Sequence, residues 1–339
     1  MKVAIYTVLK YTGIFGLCRR LTRKKLRILG YHGIWFSDGH FGNRLFMATV
    51  TFDRRMRWLA DSGYPVLSLG EAIGRKDSDT LPENAVVITI DDAWYGSYRH
   101  MLPTLTGLGL PATIYATTYY ALAQQPVFDV ALNYVLATGK PTEIAATQFG
   151  LADGRHFNTA LEGDRDALAD ALKAGAEIQP EATKQEWLKS LCAAMDVSYD
   201  AFFGSRQFHL STIDEIGEMD TAGIDIQLHT HNHNIVESDR EKLAEEITLN
   251  RKHLSAHIAG VPDQFCYPSG VNAPEMADIL SAAGVKSATL VDAGLVSPDT
   301  SNYFLPRILD GEEMHQIEVE AELAGVNECY RMLRRRLGA

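Results

Sequence analysis

Short apolar runs rich in β-branched residues alternate along the chain with longer segments whose apolar residues recur every three or four positions. The short runs are typical of buried strands, and the longer segments are typical of helices that pack one face on a sheet. Strands and helices in alternation predict parallel strands joined by helical crossovers. The predicted strands are residues 26–31, 64–69, 85–91, 112–117, 224–230, 264–267, 287–291 and 302–308. The predicted helices between them are residues 52–62, 98–108, 212–222, 238–257 and 273–283.

Seven or eight parallel strands with helical crossovers predict an α/β fold with a closed or nearly closed barrel. The alternation stops between about residues 120 and 210, where helical patterns at 164–174 and 184–195 occur without a convincing strand. No Pro-, Gly- or Ser-rich hinge borders this stretch, so it is interpreted as a helical insertion on the barrel and not as a linker.

Two predicted strands end in residues suited to a metal site. One runs into His229 and His233, whose spacing lets both imidazoles reach one divalent cation. Another ends in Asp91 and Asp92, and burying two adjacent carboxylates is costly unless a cation, hydrogen bonds or a shared proton compensates. A catalytic zinc site needs three nitrogen or carboxylate ligands and an open position for water. One carboxylate of the pair can therefore bind the metal, and the other can act as a general base.

Each motif also has a plainer interpretation. An isolated His-x-x-x-His occurs often by chance, and Asp-Asp after a strand is a common turn or helix-capping device. His32, at the end of the first predicted strand, is equally well a core histidine. The conjunction favours a site, because Asp91, Asp92, His229 and His32 all fall at the carboxyl ends of predicted strands, where barrels of this type carry their chemistry.

Composition narrows the function further. A chain of 339 residues with 46% hydrophobic content fits one large α/β domain, although two ordinary domains also fit. The net charge of -11 argues against a general nucleic-acid binder, which needs a concentrated basic face. The 4 cysteines form no Cys-x-x-Cys pair, so reduced thiols in the cytoplasm are the simplest interpretation.

Both ends of the chain are basic. Residues 3–18 are apolar apart from Lys10, and they are followed by six cations within residues 19–27. This apolar stretch is too short to span a bilayer, and no small-residue cleavage site follows it, so a signal peptide is not expected. Solvated ends are one interpretation, and an interfacial helix drawn to anionic lipid at the inner face of a membrane is the other.

The sequence therefore predicts three segments. Residues 1–25 form an amphipathic basic segment, residues 26–325 form the barrel with its insertion, and residues 326–339 form a basic helix. The expected location is cytoplasmic, with peripheral membrane contact as the hypothesis that the basic ends raise.

Four motifs resemble those of a known family. Residues 89–92, Thr-Ile-Asp-Asp, resemble the Thr-Phe-Asp-Asp motif of the polysaccharide deacetylases (NodB-homology proteins, carbohydrate esterase family 4), and residues 229–233 resemble their His-Ser/Thr-x-x-His motif. Residues 30–34 and 265–270 resemble the Tyr-His segment and the Phe-x-Tyr-Pro-x-Gly loop of the poly-N-acetylglucosamine deacetylase branch. The resemblance covers about residues 27–308. It implies a deformed (β/α) barrel and metal-dependent removal of acetyl groups from a carbohydrate.

Carried over by position, the resemblance implies roles for five side chains. Asp92, His229 and His233 would be the metal ligands, and Asp91 would be the general base. His32 would be the acid, protonating the departing nitrogen from the side opposite the metal and the oxyanion.

The chain also departs from the best-known members. They have an arginine that orients the base where Cys266 stands, and their Asp-x-x-Trp and Leu-x-His motifs are not found convincingly here. Arg307, near the end of the last predicted strand, is the candidate replacement. The backbone N–H of Ser269 is expected to stabilise the oxyanion, while Tyr267 and Trp94 are candidates to line a sugar cleft, with core packing as the alternative.

The sequence thus predicts a metal-dependent deacetylase of N-acetylated sugars in a glycan or its lipid-linked precursor. Zinc is the first-choice metal, and Co²⁺, Ni²⁺, Mn²⁺ and Fe²⁺ stay open. One alternative keeps the site but hydrolyses O-acetyl esters or a small cyclic amide. Another is an inactive carbohydrate-binding protein, motivated by the missing arginine and Asp-x-x-Trp motif.

Overall fold

The computed structural model describes residues 2–35, 44–151, 154–235 and 239–336. Its strands are β1 (Arg27–Tyr31), β2 (Ile34–Trp35), β3 (Met47–Ala48), β4 (Val66–Leu67), β5 (Val86–Asp92), β6 (Thr113–Ala116), β7 (Glu143–Ala145), β8 (His156–Asn158), β9 (Asp225–Leu228), β10 (Gln264–Cys266), β11 (Ser287–Ala293) and β12 (Leu305–Leu309).

The α-helices are α1 (Lys2–Tyr11), α2 (Ile14–Leu21), α3 (Thr49–Asp61), α4 (Leu69–Asp77), α5 (Leu102–Leu108), α6 (Tyr119–Ala123), α7 (Phe128–Thr138), α8 (Glu162–Ala176), α9 (Glu181–Ala194), α10 (Tyr199–Ser205), α11 (Ile213–Thr221), α12 (Arg240–Leu254), α13 (Met276–Ala282), α14 (Gln316–Leu323) and α15 (Val326–Arg336). A π-helical turn at Ser97–Met101 precedes α5, and 3₁₀ turns lie at Ala146–Phe149 and Pro268–Gly270.

Seven parallel strands close into a barrel in the order β1, β12, β11, β10, β9, β6 and β5, and β5 pairs back onto β1. The predicted (β/α) barrel is confirmed. All eight predicted strands are present, but β4 has only two residues and stays outside the ring, paired with the first part of β5. Strand β5 is buried along its whole length, as its unbroken β-branched sequence predicts for a parallel strand covered on both faces.

Alternation along each strand decides which side chains face the barrel interior. Val86, Ile88 and Ile90 of β5 belong to the core between the strands and the outer helices, whereas Val87 belongs to a separate inner cluster. Because side chains of a strand point alternately to its two faces, Asp91 follows Val87 on the inner face. The interior of the barrel is therefore apolar near the amino ends of the strands and polar near their carboxyl ends.

The insertion has a core of its own, formed mainly by helices α7, α8, α9 and α10. The prediction of a stretch without strands is wrong, because β7 and β8 form a small antiparallel pair there. Each has only three residues, which is too short to leave a periodic signal in the sequence. Helix α4 was also missed, although Ser68 caps it by accepting a hydrogen bond from the Glu71 amide at 3.3 Å.

The predicted helix at 238–257 begins at Arg240 in the structure, and residue 238 lies outside the described residues. At the two ends of the chain, helices α1 and α2 pack against α14 and α15 around a small apolar cluster that includes Phe15 and Ile317. The basic segments therefore cover one outer part of the barrel.

Candidate metal centre and catalytic site

Strand order brings the predicted site residues together. Asp91 and Asp92 end β5, His229 directly follows β9, and β6 alone lies between these strands. The chain turns sharply after each strand, since Asp92 has φ 71 and His233 has φ 53, both in the left-handed region. Such conformations cost about 1–3 kcal/mol in non-glycine residues and concentrate at functional sites.

Three side chains converge as a metal-ligand set. The Oδ1 atom of Asp92 lies 3.2 Å from Nε2 of His229 and 3.2 Å from Nε2 of His233. In a tetrahedral site with bonds of 2.0–2.1 Å, ligand atoms lie about 3.3 Å apart. Asp92 Oδ1 is buried and has no hydrogen-bond donor of suitable geometry among the described residues. The three side chains thus fit a divalent cation at their centre.

Neighbouring groups fix the orientation of these ligands. The Nδ1 atom of His229 lies 2.9 Å from the Cys266 carbonyl oxygen, which only accepts, so Nδ1 donates and the neutral ring would turn its Nε2 lone pair towards Asp92. A lone pair facing a carboxylate is repulsive unless a proton or cation lies between them. The other Asp92 oxygen accepts a hydrogen bond from Trp94 Nε1 at 2.8 Å. Trp94, a predicted cleft residue, therefore also positions a ligand.

A second group of three side chains, Asp91, His229 and Cys266, also brings potential ligand atoms close together. Asp91 is already paired with the Arg307 guanidinium, and Arg307 Nη2 also lies 3.2 Å from Cys266 Sγ. A dication at this second position would be adjacent to a buried positive charge. The set of Asp92, His229 and His233 is therefore the better metal site.

Arg307 holds Asp91 through two parallel hydrogen bonds of 2.7 Å, from Nη1 to Oδ1 and from Nη2 to Oδ2. Its Nε donates to the Leu290 carbonyl at 2.7 Å, and the guanidinium is fully buried. Burial alone would raise the pKa of Asp91, but Arg307 outweighs it and lowers that pKa to about 2. The structure thus places Arg307 where it orients the predicted base, while the position of the family arginine is occupied by Cys266.

His32 lies beside the predicted base. Its Nε2 atom is 3.4 Å from Asp91 Oδ2, and its predicted role as the acid stays a prediction. The physical reason for this contact is barrel closure: β1 pairs with β5 in register, with Tyr31 opposite Ile90, and the next residue of each strand points inward. Burial lowers the pKa of His32, and the charge of Asp91 partly offsets this effect.

A cavity of about 670 Å³ opens over these residues. The other predicted residues on its wall are Trp94, Tyr267 and Ser269. The Tyr267 ring is 1% exposed, and its hydroxyl donates to the Tyr303 carbonyl at 3.1 Å, so it presents little surface to a ligand. Ser269 has φ 55 and is followed by Gly270 with φ 74, where an added Cβ would lie 2.4 Å from a Val291 methyl.

The insertion forms part of the same wall. Side chains of α7, α8 and α9 reach the cavity, among them Phe128, Asp129, Lys173 and Lys184. The site is therefore bounded on one side by the barrel loops and on another by the segment that is least characteristic of the family motifs.

Sequence reasoning missed two polar residues of α12. Asn250 accepts a hydrogen bond from the His229 amide at 3.0 Å and donates to the Ala116 carbonyl at 2.9 Å. Glu246, one turn earlier, accepts from the Asn232 amide at 2.7 Å. Both are buried on the inner face of an otherwise highly charged helix, and their four-residue spacing was the available signal. Together they hold the loop that carries the two histidines.

Comparison with known proteins identifies the family. The family model described as polysaccharide deacetylase matches residues 78–288, more than half of the chain. The chain belongs to the polysaccharide deacetylase family. Two curated relatives match over shorter stretches. Bacillus subtilis (strain 168) YxkH is 38% identical over 92 residues, which cover 27% of this chain and 31% of YxkH.

The second relative is the poly-β-1,6-N-acetyl-D-glucosamine N-deacetylase of Staphylococcus aureus (strain MSSA476), which is 26% identical over 123 residues. That match covers 32% of this chain and 42% of the relative. The chain is thus aligned to less than half the length of either curated relative.

Solved structures share the fold over nearly the whole chain. The Streptococcus pyogenes deacetylase PplD, determined with acetate, superposes with a TM-score of 0.58 and 17% identity, covering 89% of this chain and 99% of PplD. IcaB from Ammonifex degensii gives a TM-score of 0.55 at 17% identity, covering 89% of this chain and 97% of IcaB. At these identities the likeness shows the barrel fold alone.

Proposed function

We propose that this chain is a metal-dependent deacetylase that hydrolyses the N-acetyl groups of amino sugars in a glycan or its lipid-linked precursor. One observation carries the proposal: three ligand atoms of Asp92, His229 and His233 converge beside an Asp91 carboxylate that Arg307 holds by two hydrogen bonds. Family membership and the named activity of the Staphylococcus aureus relative support the substrate class. Zinc is the metal proposed, with Co²⁺, Ni²⁺, Mn²⁺ and Fe²⁺ as alternatives.

The metal would supply Lewis-acid activation of both a water molecule and the acetyl carbonyl. Asp91 is the proton acceptor, because it lies beside the ligand set and is ionised at neutral pH. Its low pKa makes it a weak base, so it accepts a proton from water only when that water is made more acidic. Arg307 keeps the carboxylate in one orientation, and the Ser269 backbone N–H is proposed to stabilise the oxyanion.

His32 is proposed to complete the proton transfer. The proton that Asp91 takes from water passes from Asp91 Oδ2 to His32 Nε2, across 3.4 Å, and then to the departing nitrogen. This route uses one proton, which leaves water and ends on the amine as the carbon–nitrogen bond breaks. The side-by-side placement of His32 and Asp91 supports this route.

The pairing of Arg307 with Asp91 favours an enzyme over an inactive binding protein. The inactive alternative was motivated by the missing family arginine and by the missing Asp-x-x-Trp motif, and Arg307 answers the first point because it supplies a guanidinium to Asp91 from another strand.

Acetate release from the zinc-reconstituted full chain tests the function. N-acetylated amino-sugar polymers should yield acetate, while the chelator-treated chain should yield none, because hydrolysis then lacks its Lewis acid. O-acetylated glycans run in parallel separate the two bond types. Release from O-acetyl esters alone would support the alternative hydrolase, and no release by folded, metal-loaded protein would contradict the proposal.

His32→Ala should keep its metal and lose about 100-fold in turnover of amide substrates. The loss should be much smaller for activated acetyl esters, whose leaving groups depart without a proton. The measurement is the ratio of the two rates in the variant and in the unmodified chain.

His315→Ala is the matched control, because His315 is an exposed residue that caps α14 and does not line the cavity. It should leave both rates unchanged. Equal losses by His32→Ala on amides and on activated esters would argue against the acid role.

A further inference from the structure

Helix α1 presents an apolar face on each side. Tyr6 and Leu9 pack towards α14 and α15, which accounts for one face. On the other side Val8 is 60% exposed and Tyr11 is 84% exposed, and Ala4 lies on the same stripe at the i, i+4, i+7 spacing. A surface helix of a globular protein normally has a polar outer face, so the exposed apolar stripe of α1 suggests contact with another surface.

The exposed apolar surface continues onto two neighbouring helices. On α2, Leu17 is 54% exposed and Leu21 is 62% exposed. On α15, which packs against α2, Tyr330 is 60% exposed and Leu333 is 55% exposed. We call the outer faces of α1, α2 and α15 the terminal face. Scattered exposed apolar residues are ordinary, but a group contributed by adjacent helices marks an interaction surface.

The cations of the basic segment divide into two groups. Arg27 is buried and donates to the Leu323 carbonyl, Arg23 pairs with Glu83, and Lys25 pairs with Glu328. These three serve the fold, so the dense basic run does not act as one solvated cluster.

Arg20 and Lys24 are exposed on or beside α2, and no ion pair is found for either of them among the described residues. Arg334 is exposed on α15. The terminal face therefore combines apolar side chains and cations.

We propose that the terminal face docks the protein on the surface of an anionic lipid bilayer. Apolar side chains insert shallowly, two exposed tyrosines suit the interfacial region, and the unpaired cations meet lipid phosphates. A second copy of the chain fits less well, because a symmetric contact would bring the same cations against each other. None of the described helices is long and apolar enough to cross a membrane.

Chain topology separates the segment after α2 from the active site. The segment after α2 lies at the amino ends of the strands, since the Asn84 amide, just before β5, donates to the Arg23 carbonyl at 2.7 Å. The ligand set lies at the carboxyl ends, about 20 Å away along a seven-residue strand. If the proposed function holds, the sugars are attacked at the end of the barrel remote from the segment that follows α2.

Vesicle flotation of the full chain tests the docking surface. At low salt the protein should float with phosphatidylcholine vesicles that contain phosphatidylglycerol, and it should float less at high salt because ions screen the attraction. Combining Val8→Glu with Tyr11→Glu should weaken binding by about tenfold or more, since two charges replace inserted side chains. Arg20→Gln with Lys24→Gln should weaken the preference for anionic lipid, since Arg334 remains on the face.

The matched control combines Ile178→Glu with Val261→Glu, which adds the same charge at exposed apolar residues outside the terminal face. It should float like the unmodified chain. Absence of binding to anionic vesicles at low salt, or equal binding by Val8→Glu/Tyr11→Glu, would overturn the proposal. The proposal would also be overturned if the unmodified chain formed a dimer that did not bind vesicles and if Val8→Glu/Tyr11→Glu dissociated that dimer. Acetate release from a soluble glycan is measured on the same variants. It reports the proposed catalytic activity without membrane binding, so a failure of either proposal can be recognised by itself.

Discussion

Replacing Asp92 with alanine should abolish metal binding and deacetylase activity together. The substitution removes the oxygen that lies 3.2 Å from both histidine nitrogens, and two imidazoles alone do not complete a three-ligand catalytic site. His229→Ala should have the same effect. The measurement is the metal content per chain after chelator treatment, reconstitution with zinc and removal of unbound metal, with acetate release followed on the same samples.

Thermal unfolding provides a second test of metal binding. A ligand that binds only the folded state at 100 times its Kd stabilises that state by about 2.7 kcal/mol. Zinc should therefore raise the Tm of the metal-free chain but leave the Tm of Asp92→Ala unchanged. His209→Ala is the control, because His209 is buried but does not line the cavity, and zinc should still raise its Tm. Full zinc occupancy in Asp92→Ala would contradict the ligand assignment.

The barrel and the convergence of Asp92, His229 and His233 were predictable because their signals are local. An unbroken β-branched run that ends in Asp91 and Asp92 identifies both a buried strand and its carboxyl end. The histidine pair follows a second strand in the same way. Since parallel strands bring their carboxyl ends to one face of a barrel, the meeting of these residues follows from their places in the sequence.

The immediate partners of the base were harder to predict because they depend on how the ring closes. Arg307 was only a candidate in the sequence, and its two hydrogen bonds to Asp91 require β12 and β5 to flank β1. The same closure brings His32 next to Asp91, a contact that the sequence did not predict. Strand order is a long-range property, and neither periodicity nor motif spacing specifies it.

Polar residues of helices gave the weakest signal. Asn250 and Glu246 lie on a helix whose remaining surface is strongly charged, so two more polar residues do not stand out. Their role becomes visible only when the His229 and Asn232 amides are found to need acceptors.

Replacing Asp91 with asparagine should lower turnover by about 100-fold or more while the metal stays bound. Asparagine fills nearly the same volume and its amide oxygen still accepts one hydrogen bond from Arg307, but it does not take up a proton. Asp91 is not in the ligand set of Asp92 and the two histidines, so metal content should match that of the unmodified chain. Acetate release at saturating substrate, together with metal content, measures the separation of these two properties.

The substitution also leaves the buried Arg307 charge without its counter-ion, which should cost about 3 kcal/mol or more of folding stability. Activity must therefore be compared well below the Tm of each protein. Asp310→Asn is the matched control, because Asp310 forms a similarly buried pair with Arg55 at 3.0 Å but does not line the cavity. It should lose comparable stability and keep its turnover. A large loss of turnover in both variants would assign the effect to stability, whereas normal turnover in Asp91→Asn would move the general base to another residue.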